Sequence, residues 1–212
     1  MSPDERWIAA ALTIAVLALY EIWFALAQRR NPGLLARSAH ASLREDWFAA
    51  VSQQPGSEVL AVQTLRNSLM SASMTASTAV LGLMGTITLS ASSLDTSLDG
   101  GVAFEFTPRL ALELILLALL FASLVTSVMA VRYYNHAGFV GAMPVGSEAR
   151  RRWSAIGGSH LRRAGILYSW SLRNLVLVVP AVGFILHPAA GPVAAVLVVV
   201  VLYGFDRIKA GA

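Results

Sequence analysis

The chain has 212 residues, 56% of them apolar and 13% charged, with a mean hydropathy of +0.64 and a formal charge of +4. Soluble domains carry about 25% charged residues; here the deficit is concentrated in long apolar runs, which excludes an ordinary soluble domain and points to a multi-pass helical protein of the lipid bilayer. The absence of cysteine removes disulfides, thiol catalysis and thiolate metal sites, and the basic residues flank apolar runs, where topology and lipid headgroups account for them without nucleic acid.

The start, Met1-Ser2-Pro3-Asp4-Glu5-Arg6, is acidic rather than basic. The run behind it is long enough to stay as an anchor, so no cleavable signal peptide is expected. That run, Trp7 to Ala27, spans the roughly 30 Å hydrocarbon core at about 1.5 Å per residue. Trp7 and Trp23 lie toward its two ends, as interfacial aromatics do. Arg37 to Val51 reads as a short amphipathic helix on the inner surface, with Leu43, Trp47 and Val51 on one side. The second run is Ser68 to Ala91, the third Leu110 to Val131 and the fourth Ile166 to Leu186. His187 to Pro192 is a turn by composition. The fifth run, Val193 to Phe205, gives only about 20 Å of helix.

Charge then sets an orientation. Arg29, Arg30, Arg37 and Arg44 lie between the first and second runs. Arg132, Arg150, Arg151, Arg152, Arg162 and Arg163 lie between the third and fourth, and Arg207 and Lys209 in the tail. The segment Ser92 to Pro108, between the second and third runs, holds Asp95, Asp99 and Glu105 and no basic residue. Positive-inside counting puts the basic segments and C-terminus in the cytoplasm and the N-terminus outside the cell's inner membrane. Five spans satisfy that alternation.

One phrase occurs twice. Thr64-Leu65-Arg66-Asn67 heads the second run and Ser171-Leu172-Arg173-Asn174 lies near the head of the fourth, each after a Trp in an Arg-bearing segment. Both phrases fall on the cytoplasmic side. The expectation is two hairpins, about 7–91 and 110–187, related as parallel repeats, plus a fifth helix at about 190–206, all within one membrane domain over 1–212.

The candidate residues follow from what lipid penalises. Ser68 to Ala91 can span without Arg66, which is then free to snorkel. From Asn174 to Leu186 there are 13 residues, about 20 Å of helix. That helix must begin before Arg173, which places Arg173 inside the hydrocarbon and in need of a partner. Glu21 matches its depth and is the expected partner for Arg66, Arg173 or Arg132. Glu113 is four residues after Arg109, so a local helical pair explains it, with proton relay as the alternative. Thr64, Ser68, Ser71, Thr75, Thr78, Gly82 and Gly85 recur at spacings of three and four and share one helix face. Such a face suits close helix packing or the wall of a hydrated path. Arg132-Tyr133-Tyr134-Asn135-His136 reads as an interfacial belt, or as a gate built on Arg132, Tyr133 and His136. No histidine lies in mid-span and no ligand spacing is present, so no haem, metal or other cofactor is expected.

Ala61-Val62-Gln63-Thr64-Leu65-Arg66-Asn67, with Met70 and Ala76-Ser77-Thr78-Ala79, resembles the signature of a membrane family known as domain of unknown function 599. Arg132-Tyr133-Tyr134-Asn135-His136-Ala137-Gly138-Phe139 is similar to that family's second block. The resemblance runs from about Trp7 to Leu186 and implies a multi-pass membrane protein, with no activity attached. The residues themselves favour a homo-oligomeric channel or transporter for small ions, anions above all, with Arg66, Asn67, Arg173, Asn174, Glu21, Ser68, Ser71, Thr75 and Thr78 along the path. A non-transporting structural or accessory subunit of a membrane complex is the alternative. A membrane enzyme ranks last, because no acid, base and nucleophile set converges.

Overall fold

The computed structural model describes residues 1–30, 36–98 and 106–206, with the backbone alone over 92–98. Those residues form six helices and, among them, no strand. They are α1 (Pro3–Arg30), α2 (Ala36–Val51), α3 (Glu58–Leu98), α4 (Pro108–Ala142), α5 (Glu148–Leu186) and α6 (Ala190–Asp206). Four of them, α1, α3, α4 and α5, are long and apolar enough to cross a membrane, and α6 is a shorter apolar helix. Asp99, Glu105, Arg207 and Lys209, which entered the charge count, lie outside the described residues, as does the side chain of Asp95.

The helices overrun their apolar stretches. α3, with 41 residues, is about 60 Å long, twice the hydrocarbon thickness. The stretch from Arg132 to Gly165, read from hydropathy as a basic connection, is helical except around 143–147. Hydropathy marks where lipid ends, whereas a helix continues as long as one of its faces is buried. Tyr134, Ala137 and Val140 on α4 and Leu161 and Ala164 on α5 supply that face.

The chain divides into two compact units. Neither unit follows a sequence hairpin; each takes residues from both. Unit 1 comprises 1–32, 78–122 and 173–212. Its core sets Ala9, Ala10, Leu112, Leu116, Ala181 and Phe184 together, and beside them Tyr20, Leu177, Val198 and Leu202. Small residues bring its helices close. A Cβ on Gly191 of α6 would stand 2.7 Å from the Thr13 hydroxyl of α1 and 2.8 Å from the Phe184 Cβ of α5, so only glycine fits there.

Unit 2 comprises 33–77 and 123–172. Phe48 of α2 is its central large side chain, packed with Leu65, Tyr134, Val140 and Leu161. A Cβ on Gly157 would come within 2.8 Å of the Phe48 ring, so α5 meets α2 through that glycine. The buried side of α2 is Arg37, Ala41, Phe48 and Val51. Leu43 and Trp47, read as sharing an apolar face with Val51, are not on that side; Leu43 is 63% exposed. Phe48 explains the shift, because docking its ring rotates the neighbouring Trp47 to the margin, where it is partly buried against the core.

Candidate functional site

Unit 1 holds a charge cluster carried by three helices. Arg173 on α5 is 4% exposed. Its Nε donates to both carboxylate oxygens of Glu21 on α1, at 2.8 and 3.1 Å, and its Nη1 donates to Asp206 Oδ2 on α6 at 2.7 Å. The Tyr20 hydroxyl donates to the same Asp206 oxygen at 2.7 Å. The guanidinium carbon lies 4.1 Å from the centre of the Phe24 ring and 5.3 Å from that of Tyr20. Tyr20, Glu21 and Phe24 occupy one side of α1 at helical spacing, so a single helix face supplies a hydroxyl, a carboxylate and an aromatic ring. A cation taken from water must recover its solvation from such partners. Two carboxylates against one guanidinium leave the group formally negative. An apolar cavity of about 180 Å³, lined by Thr13, Leu17, Leu112, Leu119 and Leu177 among others, borders Glu21.

Glu21 was expected to meet Arg66, Arg173 or Arg132, and it meets Arg173. Asp206 and Tyr20 were missed. Asp206 directly follows the last apolar residue of the fifth run, and extending α6 by one residue brings it within the helix. Tyr20 was hidden as an ordinary apolar member of the first run. Asn174, half-buried, has no part in the ion pairs.

Arg66, Asn67, Ser68, Ser71 and Thr75 belong to unit 2, and Thr78 opens the unit 1 part of α3. Arg66 and Asn67 are exposed. Arg66 borders a groove of about 390 Å³ together with Leu65, Leu69, Tyr134, Asn135 and Phe139. Residues of both family-like blocks therefore meet in one place. The hydroxyls along this face mostly satisfy themselves. Ser68, Ser71 and Thr75 donate to the carbonyls four residues earlier, at 3.2, 3.1 and 2.9 Å. Thr75 is buried, while Ser71 and Thr78 are exposed. Among the gate residues Arg132 is exposed, and the rings of Tyr133 and His136 lie 5.3 and 5.6 Å from that of His160.

Unit 2 has its own buried cation. Arg150 is 1% exposed and donates to the carbonyls of Val140 and Met143 and, at 3.0 Å, to the Ser52 hydroxyl. It clasps the turn between α4 and α5 with no carboxylate among its hydrogen-bond partners, while Glu58, which accepts from the Val145 amide of that turn at 2.8 Å, acts on Arg150 electrostatically. In the same unit but about 30 Å further along α5, Ser171 bonds Ser123 and Ser127 through a fully buried hydroxyl cluster that ties α5 to α4. At the far end of α4, Arg109 pairs with Glu113 one turn on, at 2.9 Å.

Among the described residues no group of three or more His, Cys, Asp or Glu side chains is placed to hold a metal ion. No curated protein and no solved structure matches the chain. A family model does, over residues 8–210, nearly the whole sequence and both blocks quoted above. The chain therefore belongs to the family described as protein of unknown function, DUF599.

Proposed function

We propose that the protein is a non-transporting structural or accessory subunit of a membrane complex, in which buried polar clusters hold the helices in register. The observation that carries this reading is the pairing of Arg173 with two carboxylates. An anion path requires a cation whose charge is still available, and the charge of Arg173 is answered twice over within unit 1. The self-bonded hydroxyls of Ser68, Ser71 and Thr75 support it further, since they need no water on that face. We place the chain in the cell's inner membrane as a homo-oligomer, with its N-terminus outside and its C-terminus in the cytoplasm. Periplasmic activity of a reporter fused after Ala212 would overturn that orientation.

A second reading, an oligomeric path for small anions, draws on Arg66. This arginine is exposed, has no ion pair among the described residues and borders a groove. A fixed positive charge at a conduit mouth concentrates anions, and salt weakens the effect. Ion flux into liposomes carrying the purified protein separates the two. The structural reading expects no flux above empty liposomes under any salt or pH gradient. Anion flux that falls in Arg66→Gln, most at low ionic strength, and in Thr75→Val, with oligomer size unchanged in both, would replace it with the conduit.

A further inference from the structure

The start of α1, the start of α4 and the end of α5 border an open-mouthed cavity of about 510 Å³ within unit 1. Its lining residues include two arginines, Arg6 and Arg109, beside Trp7, Phe106 and Phe184. The Trp7 and Phe106 rings pack 5.8 Å apart. Arg109 spends only its Nε on Glu113, and its terminal nitrogens have no partner among the described residues. Arg6 is exposed and has no ion pair among them. The helix starts are already capped. Ser2 and Glu5 bond each other's backbone and side chain, and Thr107 accepts from the Leu110 amide, so an incoming anion would rest on the guanidinium groups rather than on free amides. Of the carboxylates nearby among the described residues, Glu113 belongs to Arg109, Glu5 is engaged with Ser2, and neither Asp4 nor Glu5 lines the cavity. Among the described residues, two cations thus face one neutralising carboxylate, over an aromatic and aliphatic floor.

We propose that this cavity binds an anionic lipid, taking its phosphate between Arg6 and Arg109 and the first methylenes of an acyl chain against Trp7, Phe106 and Phe184. The volume lies in the range of small-ligand sites and suits a headgroup with the beginning of a tail rather than a whole lipid. Arginine forks match phosphate oxygens two at a time. The position fits too, because a membrane helix that begins at Pro3 brings Trp7 to the headgroup zone. The site is independent of whether the protein conducts ions.

The test uses the full-length protein in a neutral maltoside detergent, with native mass spectrometry counting bound phosphatidic acid. Phosphatidylcholine and inorganic phosphate serve as separate arms. The proposal expects a saturable one-to-one adduct with phosphatidic acid. Arg6→Gln should raise the half-saturating lipid concentration about tenfold, the loss of one charge-assisted hydrogen bond. Arg109→Gln would strand the buried Glu113, so Arg109→Lys is the companion variant; it keeps the charge beside Glu113, removes the fork and should weaken binding in the same direction. Phosphatidylcholine binding as well as phosphatidic acid, or binding unchanged in both variants, would overturn the proposal. Inorganic phosphate that competes as strongly as the lipid would overturn the role given to the aromatic floor.

Discussion

Arg66 and Arg173 stand in the same four-residue phrase and live in opposite surroundings. Arg66, in unit 2, is exposed beside a groove. Arg173, in unit 1, is buried between carboxylates supplied by α1 and α6. Their neighbours diverge as well. Thr64 is exposed, while its counterpart Ser171 is fully buried against Ser123 and Ser127. A local phrase fixes what a helix offers at one point. Residues far along the chain fix what that offer meets, here Glu21, 152 positions away, and Asp206, 33 positions away.

Breaking the ion pairs gives the widest separation between the two arginines. Arg173→Gln strands two carboxylates and should lower the stability of the folded protein by about 3–5 kcal/mol, the usual result of removing one partner from a buried pair. Arg66→Gln should change it by no more than about 0.5 kcal/mol, as exposed substitutions do. Thermal unfolding in detergent reads both. Equal effects would mean that the burial of Arg173 contributes nothing. Combining Arg173→Gln with Glu21→Gln should recover part of the loss, because one stranded charge is gone.

Arg150 sharpens the contrast, since it is as buried as Arg173 but held by carbonyls and a hydroxyl. Arg150→Gln leaves acceptors unsatisfied without stranding a charge. It should cost about 1.5–3 kcal/mol, and no carboxylate-to-amide change in unit 2 should rescue it. Rescue by such a change would show that a carboxylate, not the Val140 and Met143 carbonyls, supports Arg150. The smallest effect belongs to the hydroxyl cluster. Ser171→Ala should cost about 0.6–1.7 kcal/mol, the range of interhelical hydrogen bonds in membranes, whereas Thr64→Ala should be neutral. The same unfolding series measures both, and a neutral Ser171→Ala would mean that the cluster adds packing only.

Much of this was written in the order of the residues. Long apolar runs separated by basic and acidic segments determine a helical membrane protein, because lipid cannot satisfy backbone groups and a helix satisfies its own. The counting that placed Arg173 inside the hydrocarbon also required it to have a partner, and Glu21 stood out as one of few carboxylates within the runs. Tertiary structure decided the rest. It carried α4 and α5 well past their apolar stretches, because Tyr134, Val140 and Leu161 found a core that no hydropathy window registers. It turned Phe48 rather than Leu43 inward on α2, because the glycine at 157 leaves room for a ring. It added Tyr20 and Asp206 to the cluster, and it drew Arg6 and Arg109 to one cavity. Each of these depends on which helix faces come together, and that is settled by side-chain fit between segments distant in sequence rather than by periodicity within any one of them.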